Sequence, residues 1–290
     1  MDGKAWSRVH GLRRCVQWAV LLSLGVLSWA NMHGWTRIYG SFFALDVYGL
    51  PFADPLSVVQ PLVQGAFGAA ALWVGAGLSL GIALVFGRVF CGWICPYGLL
   101  SEYMWLVGKG RTGYKGKGGE TLRLWWRSVV LLVLMGFSAY GAVPLLQILS
   151  FPGGLSLVPL TLWYGDPTLA GVGLLVAVPG LVLLVELVVG RRLWCAYVCP
   201  QSVLLAWTAV MGKKFWGLRW NPKVCACKPD AQGRRPCEGA CSLALHMRQK
   251  GGPPRGECTH CTDCVGACRA EGQGALSVGR RSTKNDLHSA

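Results

Sequence analysis

Cys258, Cys261, Cys264 and Cys268 follow one another with the spacing C-x2-C-x2-C-x3-C. Three thiolates at such close intervals wrap a loop around one iron-sulfur cube, while the fourth, a turn further on, reaches a neighbouring cube. An irregular run precedes it: Cys225-Ala226-Cys227, an insertion from Lys228 to Pro236, then Cys237-Glu238-Gly239-Ala240-Cys241. On the crossed pattern, Cys225, Cys227, Cys237 and Cys268 hold one [4Fe-4S] cluster, and Cys258, Cys261, Cys264 and Cys241 hold the other. Structural zinc is the competing reading, since four-cysteine zinc sites also use C-x2-C spacing. The triple close spacing and the division of eight cysteines into two quartets favour iron.

Four further cysteines lie in two matching segments. Arg88-Val89-Phe90-Cys91-Gly92-Trp93-Ile94-Cys95-Pro96 aligns with Arg192-Leu193-Trp194-Cys195-Ala196-Tyr197-Val198-Cys199-Pro200, sharing Arg, aromatic, Cys, aromatic, apolar, Cys and Pro in order. The chain therefore reads as an internal duplication, each half a helical hairpin whose second helix delivers its cysteines to the same side. Asp54-Pro55 and Asp166-Pro167 mark the outer connection of each half. Cys91, Cys95, Cys195 and Cys199 then sit at equal depth, where four thiols could hold an additional metal, a third cluster or a reversible dithiol. The plainer reading is that small cysteines pack the helix ends and each proline starts the next helix.

The elements that position these groups are apolar. Runs at about 15 to 32, 66 to 90, 128 to 149 and 169 to 190 approach or reach the roughly 20 residues that cross a bilayer as helix, and none alternates with the period of a strand. The expected fold is an all-α membrane protein with four transmembrane helices as two parallel-repeat hairpins, followed by a small cytoplasmic two-cluster ferredoxin-like domain. The expected divisions are a cytoplasmic segment 1–14, a membrane domain 15–212, a cluster domain 213–278 and a flexible tail 279–290.

Orientation follows from the 28 Lys and Arg, which precede the first run, end the second, fill Lys109 to Arg127 and follow the fourth, leaving Arg37 alone in an outer connection. The positive-inside bias puts both termini and the clusters in the cytoplasm of a bacterial inner membrane, the first run serving as an uncleaved anchor. Thirteen cysteines in such a setting argue for metal over disulfides. The net charge of +15 is explained by this topology, and a nucleic-acid partner is not expected.

Glu186 is the one acid inside an apolar run. A carboxylate there is costly unless paired or protonated, so it reads either as the acceptor of a quinol proton or as the partner of Arg88 or Arg191. Trp35, Trp125, Trp126 and Trp163 stand where interfacial aromatic belts are expected. Cys15 reads as a packing residue, and His260, between two cluster ligands, as a residue that shapes cluster solvation.

The four runs, the paired Cys-x3-Cys-Pro motifs, the two-cluster tail and the segment Asp54-Pro55-Leu56-Ser57-Val58-Val59-Gln60 resemble the NapH-type quinol dehydrogenase membrane subunits. MauN ferredoxin-type proteins and the membrane parts of NosR and CcoG are related. The resemblance implies an electron carrier that takes electrons from quinol and passes them towards periplasmic partners, an iron-sulfur subunit and a c-type cytochrome. It implies a redox or partner-contact role for Cys91, Cys95, Cys195 and Cys199. The first cluster run departs from the regular spacing of typical relatives, which leaves the pathway open. A copper-handling or copper-reducing assembly factor is the alternative, because soft thiolates favour Cu(I).

Overall fold

The computed structural model describes residues 3–35, 37–108, 120–141, 145–163, 169–212, 215–229, 235–248, 252–271 and 274–280. Asp166-Pro167, most of the 109–127 basic loop, residues 230–234 of the insertion and the 281–290 tail lie outside them.

Helix dominates. In chain order the helices are α1 (Gly3–Met32), α2 (Leu56–Val63), α3 (Ala70–Phe86), α4 (Val89–Trp93), α5 (Pro96–Gly108), α6 (Glu120–Gly141), α7 (Leu145–Ile148), α8 (Phe151–Trp163), α9 (Leu169–Val189), α10 (Pro200–Met211), α11 (Pro236–Gly239) and α12 (Asp263–Ala270). Each expected apolar run has a helix in it. Among the described residues, Arg8–Met32 and Arg123–Gly141 are long and apolar enough to cross a membrane, whereas Ala70–Phe86 and Val176–Val189 are apolar but shorter. Large apolar side chains stand exposed along all four, among them Leu22, Val26, Val74, Leu132, Phe137, Leu181 and Val188. Exposed Cys15 belongs to this outer surface and packs no core, contrary to the sequence expectation.

The fold is not all-α. The connection after α1 forms an antiparallel sheet of β1 (Ile38–Gly40), β2 (Ala44–Val47) and β3 (Leu50–Ala53), registered Ile38↔Val47 and Val47↔Leu50. It folds back along α3, where the Ser79 hydroxyl donates to the Ala53 carbonyl at 2.8 Å. Gly75 lets the two backbones meet, since a Cβ there would stand 2.7 Å from the Ala53 nitrogen. A second sheet, β4 (Trp216–Trp220) against β5 (Leu276–Arg280), closes the cysteine-rich tail by pairing its first segment with its last. Both sheets consist of short strands that only tertiary contact makes stable.

The two halves repeat at their cysteine ends. α3 and α9 each finish at a glycine with positive φ, Gly87 at 74° and Gly190 at 66°, a conformation that stops a helix without the Cβ penalty. Arg88 and Arg192 follow closely. Cys91 lies in the short α4, and Cys195 lies in a π-helical turn, Trp194–Val198. Pro96 and Pro200 then open α5 and α10, where a missing N–H costs nothing. One apolar core joins these turns to the tail, running from Cys95, Tyr97, Trp194 and Cys199 to Leu218, Leu245, Met247 and Cys264.

Candidate metal centre

The structure brings Cys264 within electrostatic range of Cys261, Cys258 and Cys241, and also of Cys237 from the first set. Cys264, Cys261, Cys258 and Cys241, with Leu218, Leu243, Leu245 and Met247, wall a small cavity. Cys227 lies in range of Cys268 and Cys225, and Cys237 lies in range of the same two. Cys268 thus sits with the early cysteines and Cys241 with the late ones. Among the described residues no three His, Cys, Asp or Glu side chains converge on a point that would hold one ion; the second set instead surrounds a volume.

Local backbone explains the wrapping. His260 and Thr262 flank Cys261 in the left-handed region, with φ of 53° and 66°. Neither residue adopts that conformation cheaply, so the surrounding contacts must hold it. The loop curls and then enters α12, which carries Cys264 and Cys268 on adjacent turns. Several sulfurs accept hydrogen bonds: His260 N donates to Cys258 Sγ at 3.4 Å, and the Arg235 guanidinium donates to Cys225 Sγ at 2.9 Å. Such bonds stabilise thiolate ligands and tune a cluster's potential.

Fit to an iron-sulfur cube rests on these features of the chain: a thiol-walled cavity with apolar sides, donors aimed at sulfur, and a loop bent around the space. Cys258, Cys261, Cys264 and Cys241 are the residues that would line one cluster.

The Cys-x3-Cys-Pro turns also lie near one another. Cys95 is in range of Cys91, Cys195 and Cys199, and Cys199 is in range of Cys195 and Cys91. Duplication extends to their surroundings, because Arg88 Nη2 lies 3.9 Å from Cys91 Sγ and Arg192 Nη2 lies 3.6 Å from Cys195 Sγ. An aromatic column links the halves: Phe151 stacks on Trp194 with centroids 4.0 Å apart and meets Tyr97 at 5.1 Å.

Glu186 is buried between these turns. Ser101 Oγ donates to its Oε2 at 2.6 Å and the Trp194 backbone N–H donates to its Oε1 at 2.8 Å, while Arg192 Nε reaches Ser101 at 3.2 Å. Its two oxygens therefore tie α9 to α5 and to the second cysteine turn.

What sequence reading missed is how the tail is seated. The basic residues at the helix ends, whose charge was read as topology, include four buried arginines, Arg13, Arg88, Arg127 and Arg192, at 0%, 1%, 1% and 3% exposure. Each grips the tail. Arg13 bonds Asp263 at 3.1 Å and Glu102 at 2.7 Å. Arg88 donates to the Gly256 and Glu257 carbonyls at 3.2 and 3.4 Å. Arg127 pairs with Glu257 at 2.5 Å, with Arg123 at 3.5 Å from the same carboxylate. Arg192 donates to Ser242 at 3.3 Å. In return the tail's Arg255 donates to the Leu84 carbonyl at 2.8 Å and to that of Val85, satisfying the open end of α3.

Contact with the first cysteine turn is equally close. A Cβ on Gly92 would stand 2.4 Å from the Thr259 carbonyl, and one on Gly87 would stand 2.6 Å from His260 Cε1. Gly87→Ala is therefore expected to destabilise the protein by about 1–2 kcal/mol and to shift the electron paramagnetic resonance signal of the cluster that Cys258, Cys261, Cys264 and Cys241 would hold. An unchanged melting temperature and an unchanged spectrum would count against this packing.

Comparison with known proteins agrees with the duplication, and its family matches hold Cys91, Cys95, Cys195 and Cys199. The 4Fe-4S binding domain family matches the chain twice, over residues 67–115 and 169–219, so each copy of the duplication is matched in its own right. The chain is a ferredoxin-type iron-sulfur protein. It is similar to the MauN and NapH ferredoxin-type proteins. It is 32% identical over 213 residues to the methylamine utilization ferredoxin-type protein MauN of Methylorubrum extorquens, covering 72% of this chain and 66%, just under two thirds, of that protein. With the ferredoxin-type protein NapH of Escherichia coli it shares 26% identity over 92% of this chain and 78% of NapH. The regulatory protein NosR of Pseudomonas aeruginosa is 28% identical over 83% of this chain but only 30% of NosR. No solved structure matches the chain.

Proposed function

We propose that the protein carries electrons between the membrane quinol pool and the redox partners of a periplasmic reductase or dehydrogenase. In this reading α1, α3, α6 and α9 cross the inner membrane, both termini and the tail face the cytoplasm, and two [4Fe-4S] clusters are held by the two cysteine sets. The observation that carries it is the seating of a cysteine-rich, thiol-walled tail directly on the ends of helices whose outer faces are apolar and exposed. Exposed apolar rows of that extent need lipid or a partner to cover them.

A [4Fe-4S] cluster supplies one-electron transfer. The chain's own residues do the rest: cysteines supply ligands, Arg235 and backbone N–H groups hold charge at sulfur, and the buried arginines fix the clusters against the membrane helices. The periplasmic iron-sulfur subunit and c-type cytochrome implied by the NapH resemblance are the proposed partners. Glu186 is the proposed proton acceptor, with Glu186→Gln expected to slow quinol oxidation and an unchanged rate counting against the role.

Anaerobically purified protein mixed with quinol tests the reading through the visible absorbance of the clusters. Bleaching on quinol addition is expected. Protein that quinol leaves oxidised, yet that retains stoichiometric copper through Cys91, Cys95, Cys195 and Cys199, would support the assembly-factor reading instead.

A further inference from the structure

We propose that the cavity between the three-stranded sheet and α3 is the binding site for the ring of the quinol, with the Asp54 carboxyl group as hydrogen-bond partner of a ring hydroxyl. The inference rests on the quinol-linked reading and names where that substrate sits.

The cavity has a volume of about 240 Å³, room for a substituted aromatic ring and the start of its tail. Phe42, Phe52 and Phe90 contribute aromatic walls, and among the described residues no lysine or arginine lines it. Its polar side chains are Asp54, Ser79 and Gln201. Apolar walls with a few converging polar groups suit a neutral ring bearing oxygen substituents and give nothing to hold a phosphate.

Asp54 is 5% exposed and lies in the connection that folds back along α3. Its Oδ1 accepts from Leu56 N at 3.1 Å and its Oδ2 from Ser150 Oγ at 3.4 Å. A carboxyl group has acceptor sites beyond these two, and burial pushes this one up to about 7.

Two placements connect the cavity to its ligand's source and to the electron acceptor. Ile82 and Ile94, at 38% and 37% exposure, line it and continue the apolar outer surface, so a lipid-soluble molecule enters sideways. On the inner side Phe90 adjoins Cys91, and Gly87 packs against His260, which lies between Cys258 and Cys261. A bound ring is therefore separated from the second cysteine set by a single layer of residues. Phe42 of the folded-back connection meets Phe90 with centroids 5.4 Å apart, closing the wall.

The test uses the cluster-loaded protein in detergent and a short-tailed quinol, with cluster bleaching followed against quinol concentration. Asp54→Asn is expected to raise the half-saturating concentration about tenfold, the effect of one hydrogen bond to a charged group. Ile82→Trp, at the partly exposed mouth, is expected to abolish saturation. Iron content and reduction by dithionite should match the wild type in both. If quinol reduces the wild type and both variants alike, the cavity assignment falls while the quinol reading stands. If quinol reduces none of them, both fall. Should either variant lose iron, photolabelling of the wild type with an azidoquinone decides: labels within residues 42–55 or 79–94 support the site, and labels confined elsewhere overturn it.

Discussion

Cys264→Ser is expected to remove one cluster outright, taking iron from about eight to about four atoms per chain. Cys264 is buried at the start of α12, in range of three cysteines that wall one cavity with it. An alcohol there is a poor replacement for a thiolate, and the tail holds few large apolar residues to compensate. Cys268→Ser, one turn further along the same helix, should also cost about four iron atoms, but from the other site, since Cys268 lies with Cys227 and Cys237. Reductive titration followed by electron paramagnetic resonance separates the two variants. Loss of the same signal in both would sink the crossed arrangement, and tightly bound zinc without acid-labile sulfide would sink iron altogether.

Glu257→Ala should weaken the folded protein by about 3–5 kcal/mol, the cost of leaving buried charge without its partner. That carboxylate faces Arg127 at 2.5 Å and Arg123 at 3.5 Å, and the Glu257 carbonyl accepts from Arg88. Removing the carboxylate takes the ion-pair partner from Arg127 and Arg123 in a space shut off from water, while Arg88 keeps the backbone carbonyl. Unfolding in detergent, monitored by loss of cluster absorbance, should occur at a markedly lower temperature. Glu257→Gln keeps the shape and some hydrogen bonding and should fall between. A melting curve identical to the wild type for the alanine variant would show that the arginine seat contributes nothing.

The duplication was legible in the residues because its two copies keep Arg, aromatic, Cys and Pro in step, and the family comparison finds both copies. The helices were legible because apolar runs of that length leave the backbone no other way to satisfy itself. The three-stranded sheet was not read, although Tyr48-Gly49 between Leu45-Asp46-Val47 and Leu50 carried the signal of a two-residue hairpin; both residues adopt positive φ, 54° and 83°. Short strands inside a connection between long helices are easily passed over. Asp54 was read only as marking, with Pro55, the outer connection of its half, and nothing local shows that its side chain ends up walled in by α3 and Ser150. The arginine contacts were equally invisible: Arg13 and Asp263 stand 250 residues apart, and Arg127 and Glu257 stand 130 apart. A charge at a helix end satisfies the positive-inside rule whether or not it later acquires a partner, so the simpler explanation concealed the second one.

The arginine grips also impose an order on biogenesis. Every residue that receives the tail, from Arg13 to Arg192, leaves the ribosome before the residues it receives, Ser242 to Asp263. The platform can be complete when its passenger emerges. A chain truncated just after α10 would leave Arg127 and Arg123 without the Glu257 carboxylate, while Arg13 kept Glu102, a liability that the cell's proteases are well placed to detect.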